Sequence, residues 1–402
     1  MSEKAAHTFG EWKTTVEPTE ETEGKKERAC TVCSYKEEQS VAKLDHTHTF
    51  AEIWTSNATD HWHAATCEHK EEVSGKAAHT FGEWTVTKDP TCTETGSKKR
   101  ICTVCGHEAK EEIAAEHRYD SGNICSVCGL PEGFVKVTGG TVTGSKDYAS
   151  SDDDYIFVEG RTVTIKDMYV SDHEVTQAEY AKYCKYGSSS PSSSYGVGDN
   201  YPAYYVNWYD AVVYCNLRSI AEELTPAYKI GEEADPRKWS GIVGDSTNGY
   251  CGPSSSNSNW NALTYDKTAN GYRLPTEAEW EYIAREAGTS TTTYSGSNTI
   301  GDVAWYSSNS DSKTHEVKGK NANSLGIYDM SGNVWEWCYD WYSSSINSST
   351  ADTGESSGSH RVKRGGSWDY NASDCTVSYR GSSNPYGRYG NLGFRVVRSS
   401  SK

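Results

Sequence analysis

Two kinds of hydrophobic pattern divide the chain. In the first third, short stretches rich in Thr and Val are separated by Gly and Pro, which predicts small β-hairpins rather than helices. From Phe134 onward, Trp becomes frequent, His becomes rare, and apolar residues recur with helical spacing. We therefore predict two parts, residues 1–133 and residues 134–402.

Three segments of the second part carry helix signals. Residues 206–217 place apolar side chains on one helical face, at Trp208, Ala211, Val212 and Cys215. The segments 174–180 and 271–282 contain Thr176 and Thr276, each followed three residues later by a glutamate, which is the capping-box signature of a helix start. We expect these positions to form core packing and helix ends rather than to carry chemistry.

The first part of the chain is repetitive. The hexapeptide HTFGEW occurs at residues 7–12 and again at residues 79–84, at an offset of 72. The pair Cys30 and Cys33 returns at the same offset in the segment 102–105, and a further pair follows in the segment 125–128. Such self-similarity predicts an array of small β-rich units, for which we expect the role of a spacer or stalk.

Metal-ligating residue types are concentrated in these repeats, because residues 1–133 hold nine of the 12 His and eight of the 13 Cys. Two Cys separated by two residues suit zinc, since the tight turn directs both thiolates toward one tetrahedral centre. The predicted zinc set is Cys92, Cys102, Cys105 and His117, with His79 as the alternative fourth ligand. A second set would combine Cys67 with nearby histidines, namely His61, His63 and His69. Disulfides, reduced surface thiols and a redox-active CxxC pair remain alternatives.

The charge balance excludes two classes of partner. Lys and Arg number 39 against 56 Asp and Glu, a net charge of -17, so the chain repels nucleic acid and anionic lipid surfaces. No run of about 18 apolar residues predicts a membrane span, and the N-terminus lacks the pattern of a signal peptide. We expect no membrane span, and a lipid anchor in a missing N-terminal segment stays open.

Six motifs of the second part resemble one known family. Three are the helical segments, and the others are residues 332–337 (GNVWEW), 364–368 (RGGSW) and 391–396 (NLGFRV). Their order and spacing resemble the formylglycine-generating enzyme, or sulfatase-modifying factor, family. The resemblance implies an α+β domain with a C-type-lectin-like fold, preceded here by the small β-rich Cys/His repeats. Those repeats resemble repeats of bacterial surface proteins, so we expect a location at the bacterial cell surface.

The resemblance also implies where catalytic thiols would stand. Enzymes of the family carry two Cys at the second and seventh positions after the Trp of GGSW, and these positions are Tyr370 and Cys375 here. A phenol cannot replace a thiolate as a soft ligand for copper. We therefore expect no copper and no enzyme activity. The alternative is a formylglycine-generating oxidase that acts on a sulfatase-type Cys through Cys375 and a substitute ligand.

The segment following that motif has an unusual residue composition. Twelve of its positions hold only Asp, Tyr, Asn, Ser or Gly, amino acids reached from an Asn codon by changing adenines alone. This restriction resembles the variable proteins of diversity-generating retroelements, with a variable region at about residues 364–396. We call these the variable-type positions: Asp369, Tyr370, Asn371, Asp374, Gly381, Ser382, Ser383, Asn384, Tyr386, Gly387, Tyr389 and Gly390.

The same residue types suit a binding surface. Tyr supplies rigid contact area at low entropy cost, while Ser, Gly, Asn and Asp supply adaptable hydrogen bonds. We predict a non-catalytic receptor for an unknown protein or cell-surface ligand. A Gly/Ser/Tyr-rich loop without special role is the simpler alternative for this segment, and a structural or zinc-storing surface protein is the alternative for the whole chain.

A calcium site is implied by the resemblance as well. Asp329, Gly332, Val334 and Glu336 have the spacing at which family members bind calcium, through two carboxylates and two backbone carbonyls. We expect such an ion to be structural. The alternative is that Asp329 and Glu336 only cap turns.

Overall fold

The structure, a computed structural model, describes residues 6–92, 94–120, 124–148 and 155–400. It separates into two compact units, Met1–Arg118 (unit 1) and Tyr119–Lys402 (unit 2). Unit 2 thus includes residues 119–133, which we predicted to belong to the first part, and within this stretch Gly133 O accepts a hydrogen bond of 2.8 Å from Asp172 N. Among the described residues, no helix has the length and apolar character needed to span a bilayer.

Unit 1 consists of small antiparallel sheets, as the repeats predict. Each described sheet has three strands in chain order. The strands are β1 (Lys13–Val16), β2 (Gly24–Ala29), β3 (Lys36–Val41), β4 (Phe50–Ser56), β5 (Asp60–Ala65), β6 (Val73–Ala78), β7 (Thr85–Lys88), β8 (Gly96–Ile101) and β9 (Glu108–Ile113).

The sequence repeat is also a repeat of contacts. The guanidinium carbon of Arg28 lies 4.4 Å from the ring centre of Phe9 and 4.7 Å from that of Trp12. Arg100 makes the same two contacts at the same distances, with the Phe and Trp of the second HTFGEW segment. Each HTFGEW segment thus packs its two aromatic rings on an arginine of the middle strand, an attraction that needs little burial.

Unit 2 contains the predicted helices. Its described helices are α1 (Gln177–Ala181), α2 (Trp208–Ala221), α3 (Ser258–Asn261), α4 (Glu277–Ala284) and α5 (Ile300–Val303). Both predicted capping boxes are confirmed, with Thr176 at the start of α1 and Thr276 at the start of α4. The predicted apolar face of α2 is fully buried. The helix is capped by Asn207, and most of its other residues are buried as well.

The strands of unit 2 form two larger sheets and several hairpins. The strands are β10 (Phe134–Val137), β11 (Gly140–Thr143), β12 (Thr162–Ile165), β13 (Met168–Ser171), β14 (Tyr228–Lys229), β15 (Val243–Asp245), β16 (Gly249–Cys251), β17 (Thr264–Tyr265), β18 (Tyr272–Arg273), β19 (Trp335–Trp341), β20 (Arg361–Arg364), β21 (Arg380–Ser383), β22 (Leu392–Gly393) and β23 (Val397–Ser399). One sheet has the order β10-β13-β23-β18 and the other has the order β21-β20-β19-β22.

Buried ion pairs join the second sheet to helix α4. Arg364 Nη2 lies 2.5 Å from Glu281 Oε2, and Arg380 Nε lies 2.7 Å from Glu277 Oε1. Trp280, on the same helix, is fully buried in the core. Because each charge has a partner and hydrogen bonds, this arrangement fixes β20 and β21 firmly relative to the helix. The segment 364–396 therefore starts from a rigid base.

Candidate functional site

The segment predicted to be variable is held by a set of deeply buried side chains. Cys375 is 0% exposed, and Val377, Ser378 and Arg380 are nearly so. Farther along, Arg388 makes a two-bond contact to the carboxylate of Asp210, with both nitrogen to oxygen distances at 2.8 Å. Asp210 is also the capping-box residue of α2. These fixed side chains anchor the loops on both sides of β21 to the core.

Most of the variable-type positions lie between these anchors and are at least partly exposed. Asp369, Asn371 and Tyr389 are exposed, and eight others are half-buried. Ser383 departs from this pattern, since it is 8% exposed at the end of β21, where it pairs with Arg361. The structure thus brings eleven of the twelve positions to the surface, on loops and a strand supported by the same sheet.

An aromatic and basic floor lies beneath one end of this surface. The rings of Tyr370 and Trp335 meet at 5.2 Å and nearly at right angles. Lys363 Nζ lies 4.4 Å from the Trp335 ring centre and 5.4 Å from that of Tyr370. Burial lowers the pKa of Lys363 to about 8, although Asp369 and Asp374 act in the opposite direction. A lysine that is partly desolvated can form a strong ion pair with a ligand.

Sequence reasoning missed Lys363 and Trp335. Lys363 lies on β20, the neighbour of β21, where it pairs with Gly381, and Trp335 lies on the next strand, β19. A Cβ at Gly381 would lie 3.0 Å from Lys363 Cγ, so this glycine leaves the lysine stem uncovered. The strand pairing creates this proximity, and no spacing in the sequence signals it.

The other end of the surface is lined by two tyrosines from a distant loop. A Cβ at Gly390 would lie 3.3 Å from the ring of Tyr195 and 3.4 Å from the hydroxyl of Tyr205. Trp368 Nε1 donates a 3.1 Å hydrogen bond to Gly390 O, which holds this loop in place. Tyr195 and Tyr205 were not predicted to take part, because the segment that carries them has no motif.

The position of the remaining thiol does not favour catalysis. Burial raises the pKa of Cys375 to about 12, so the thiolate is scarce near pH 7. Gly366 packs against it so closely that a Cβ there would lie 2.5 Å from Cys375 Sγ. Cys375 therefore fits the role of a small buried apolar residue.

The predicted calcium ligands include two buried carboxylates. Asp329 and Glu336 are almost fully buried, and one oxygen of Asp329 has no hydrogen-bond partner among the described residues. Burial raises the pKa of Asp329 to about 6. Both oxygens of Glu336, however, accept from Arg395, at 2.7 Å and 2.6 Å.

Glu336 thus does not fit the predicted calcium set, because a guanidinium already neutralises it. Trp280 Nε1 donates to the same carboxylate at 2.7 Å. Gly332 and Val334 lie in the chain between the two acids, where Glu174 accepts from Val334 N at 3.0 Å. Burial, together with Asp329 and Glu336, raises the pKa of Glu174 well above its usual range. Arg395 is the cation that this structure places among the three acids.

The Cys and His residues of unit 1 are grouped differently from the predicted zinc set. Cys102 and Cys105 share a cluster with His61 and His79, and Cys92 and His117 are not members of it. Strand β8 lies between Cys92 and Cys102 in the chain. Its six residues span about 20 Å, so Cys92 and Cys102 lie at opposite ends of the strand. His117 follows β9, which returns toward the Cys92 end. The alternative ligand His79, rather than His117, lies near the Cys pair.

The second predicted set is also changed. Cys67 clusters with His46, His48 and His69, whereas His63 stacks on Trp54 with ring centres 3.8 Å apart. A third group combines three residues of the first repeat, His7, Cys30 and Cys33. In each group the ligand atoms lie within 4.8 Å of one another, so these groups have the composition and spacing to hold a metal ion.

Two of the thiols in these groups have lowered pKa values. The neighbouring imidazoles of His46 and His48 lower the pKa of Cys67 to about 5. Burial opposes ionisation of Cys102, but hydrogen bonds from the amides of Cys105 and Val104 lower its pKa to about 6. Thiolates are the form in which Cys binds metal.

A separate cleft of about 760 Å³ lies elsewhere in unit 2 and includes none of the variable-type positions. Its wall contains the contact between Asp172 and His173, with His173 Nε2 3.4 Å from Glu179 Oε2. Burial opposes protonation, but Asp172 and Glu179 raise the pKa of His173 to about 9. These charges neutralise one another, as expected for a structural network.

Comparison with known proteins agrees with this architecture. Chaperone protein LppX of Paenibacillus barcinonensis is 36% identical over 297 residues, covering 68% of this chain and 93% of that protein. The formylglycine-generating enzyme of Streptomyces coelicolor is 37% identical over 161 residues, which cover 35% of this chain and 51% of the enzyme. This chain thus matches about half the length of that enzyme.

The similarity extends to solved structures and to a family. Treponema denticola variable protein 1 aligns with a TM-score of 0.54 and 32% identity, covering 66% of this chain and 95% of that one. Residues 127–400 match the family described as Sulfatase-modifying factor enzyme 1-like domain. The chain therefore belongs to the sulfatase-modifying factor enzyme 1-like family, with the C-type-lectin-like fold of formylglycine-generating enzymes following its small β-rich repeats.

Proposed function

We propose that unit 2 is a non-catalytic receptor that binds a protein or cell-surface ligand through its variable-type positions. One observation carries this proposal: eleven of the twelve positions reach the surface, while the residues between them, such as Cys375, Val377 and Arg388, are anchored in the core. A surface built this way can change its side chains without disturbing the fold.

The chemistry of the surface supports a macromolecular ligand. Tyr370 and Tyr389 supply aromatic contact area, and Asp369 and Asn371 supply exposed hydrogen-bonding groups. Lys363 adds a cationic centre between Trp335 and Tyr370. Such a combination of rigid aromatic anchors and adaptable polar groups is typical of protein-binding surfaces.

The same residues argue against the oxidase alternative. Tyr370 stands at the position of the first family thiol, and its ring packs on Trp335. The pKa of Cys375, raised to about 12 by burial, leaves little thiolate to bind copper. Copper-dependent conversion of a Cys-containing sulfatase peptide would refute the non-catalytic proposal.

We extend the proposal to diversification and display. The similarity to Treponema denticola variable protein 1 and the Asn-codon restriction support diversification by a retroelement. A location at the bacterial cell surface, with unit 1 as spacer, fits this role. Sequencing the neighbourhood of the gene tests the first point: a near-copy of the segment 369–390 with AAC or AAT at these positions, beside a reverse transcriptase gene, is expected.

A display experiment tests the surface itself. A library that varies the twelve positions among Asn, Asp, Ser, Tyr and Gly is selected against lysozyme, with unit 2 in the context of the full chain. A control library varies twelve exposed positions in the segment 223–248 in the same way. Binders are expected only from the first library. Folded display without binders, or equal yield from both libraries, would contradict the proposal.

A variant then identifies the contribution of the aromatic residues. In a selected binder that retains the three tyrosines, changing Tyr370, Tyr386 and Tyr389 together to Ala is expected to abolish binding, because such anchors carry most of an interface's energy. The free energy of unfolding should change little, since Tyr389 is exposed and the other two are only half-buried. A stability loss of several kcal/mol would count against surface display.

A further inference from the structure

We infer that unit 1 holds two tetrahedral transition-metal sites of zinc type, and that one of them fastens two neighbouring repeats together. Site A consists of His46, His48, Cys67 and His69. Site B consists of His61, His79, Cys102 and Cys105. This role is independent of ligand binding by unit 2.

The distances within both sites match a tetrahedral ion. Zinc bonds of about 2.3 Å to sulfur and about 2.0–2.1 Å to nitrogen place these ligand atoms about 3.6 Å apart. In site B, Cys105 Sγ lies 3.4 Å from His79 Nδ1, and Cys102 Sγ lies 3.9 Å from His61 Nδ1. In site A, Cys67 Sγ lies 3.6 Å from His48 Nδ1.

Neighbouring groups orient the histidines as they do in known metal sites. His79 Nε2 lies 2.9 Å from the carbonyl oxygen of Asn57, which leaves Nδ1 directed at Cys105. His46 Nδ1 lies 2.6 Å from Glu20 Oε2. A histidine that binds metal usually donates its other ring N–H to a carbonyl or carboxylate in this way.

The inward-facing nitrogens of site A lack other partners. His46 Nε2 and His69 Nδ1 are buried, and neither has a hydrogen-bond partner in the described part of the chain. Leaving such atoms unsatisfied costs free energy, and a metal bond would remove that cost. The rings of His46 and His69 lie 4.6 Å apart, which is close enough for both to reach one ion.

Site B draws its ligands from two sheets. His61 lies on β5, in the sheet of the second repeat, whereas His79 begins the HTFGEW segment that pairs with the Cys102 turn through the bridge from Phe81 to Cys102. Cys102 and Cys105 lie in the turn between β8 and β9, in the sheet of the third repeat. The two sheets are separate, so an ion at site B would act as a cross-link between them.

Unit 1 needs such cross-links because its apolar core is minimal. Among its described residues, 6–92 and 94–118, the buried set contains two glycines, one alanine and three metal-ligand candidates: Gly24, Gly96, Ala65, Cys30, His61 and Cys102. Small domains with too little apolar burial are commonly held by metals or disulfides, and the binding free energy of the metal is then folding free energy.

The ligand types select the class of ion. Imidazole and thiolate favour zinc and related transition metals, whereas calcium and magnesium prefer oxygen. Four candidate ligands per site close a tetrahedral shell, so these sites suit a structural ion without an open position for catalysis.

Cobalt(II) titration of the full-length chain tests this inference. The chain is reduced, stripped of metal with a chelator and titrated with Co²⁺, whose visible ligand-field bands report tetrahedral coordination. Metal content after zinc loading is measured in parallel. We expect tetrahedral bands in the wild type, the loss of one zinc ion per chain in Cys67→Ser and in Cys105→Ser, and the loss of two in the double variant.

His63→Gln is the matched control. His63 lies on β5 two residues from His61, but it stacks on Trp54 and belongs to neither site. His61→Gln should lose one ion and His63→Gln should lose none. Equal metal content in the two histidine variants would overturn the assignment of site B.

Two further outcomes would overturn the inference, the first for both sites and the second for site B. One is the absence of tetrahedral cobalt bands in the wild type, a result that does not depend on whether any variant folds. The other is a disulfide between Cys102 and Cys105, detected by mass in the natively folded, untreated chain. In that case the pair closes its own turn and site B has no thiolates to offer.

Discussion

The two units keep their shapes by different means. Unit 2 buries large side chains, including Trp208, Trp260, Trp280, Trp335 and Trp337, each less than 2% exposed. The described part of unit 1 buries no tryptophan, and half of its six buried residues are candidate metal ligands. In unit 2 the residues that hold the fold are distinct from those displayed. In unit 1 the chemically reactive residues would themselves hold the fold.

This difference explains which changes each unit tolerates. A packed core supplies stability in proportion to the apolar area it removes from water, so exposed positions contribute little to it. A fold held by a few ligands loses a large part of its stability when one ligand is lost. We therefore expect unit 2 to tolerate change at the exposed and half-buried variable-type positions, and unit 1 to be intolerant of change at a few.

The largest predicted effect is the response to chelation. Metal removal from the reduced full-length chain is expected to make unit 1 sensitive to protease, because little apolar burial remains to hold its sheets. Unit 2 should stay resistant, since its core does not involve these ligands. Limited proteolysis with mass mapping measures both. Equal cleavage in both units would contradict the claim that only unit 1 depends on metal ligands for its fold.

A buried charge of unit 2 provides the next effect. Arg395→Met would leave Glu336 buried without its cation, close to Glu174 and Asp329. We expect a loss of about 3–5 kcal/mol in the free energy of unfolding, the usual cost of removing one partner of a buried pair. Urea unfolding followed by tryptophan fluorescence measures it.

Two comparisons sharpen that result. Arg237→Met, which breaks an exposed pair with Asp235, should cost less than about 1 kcal/mol. Calcium should barely change the stability of the wild type and should partly restore that of Arg395→Met, because only the variant frees Glu336. Strong stabilisation of the wild type by calcium would instead support the ion predicted from sequence and show that Arg395 does not replace it.

Sequence reasoning succeeded where local rules decide the outcome. Thr176 and Thr276 start helices because a capping box involves residues only three apart. The repeat predicts β-rich units correctly, since strand and turn signals are local as well. The exposure of most variable-type positions follows from their alternation with anchor residues in the same segment.

It failed where distant segments meet. The six residues of β8 carry Cys102 away from Cys92, and strand pairing brings Lys363 next to Gly381. Spacing in the sequence does not contain that information without the topology. The partner of Glu336 was missed for the same reason, because Arg395 lies 59 residues farther along the chain.

The third prediction concerns pH. His173 has its pKa raised from 6.5 to about 9, by Asp172 and Glu179 against the opposing effect of burial. Its pairing therefore stabilises unit 2 fully below about pH 6.5, and this contribution is lost as the pH rises through 9. Lys318 and Arg218 also face this cluster, through Asp172 and Glu179 respectively.

His173→Gln isolates this contribution. The variant should be less stable than the wild type by about 3 kcal/mol at pH 6, the free energy that corresponds to the rise of the His173 pKa from 6.5 to about 9, and the difference should nearly vanish at pH 9.5. Urea unfolding of both proteins at the two pH values measures it. A gap that stays constant with pH would mean that the charge of His173 plays no part.

The smallest effect compares two glycines of unit 2 that are each replaced by Ser. Gly366 packs against the buried Cys375, whereas Gly381 is a variable-type position. Gly366 has a φ of +72°, and a Cβ there would lie 2.9 Å from Cys375 Cα, so Gly366→Ser should cost about 2 kcal/mol through strain and displacement of the anchor. At Gly381 a Cβ would lie 3.0 Å from the Lys363 stem and 3.2 Å from the Trp335 ring, and the backbone there has no positive φ, so Gly381→Ser should cost about 1 kcal/mol. Thermal unfolding of the two variants decides the matter. If Gly381→Ser were as damaging as Gly366→Ser, the variable-type positions would be part of the packing, and diversity at these sites would come at the expense of the fold.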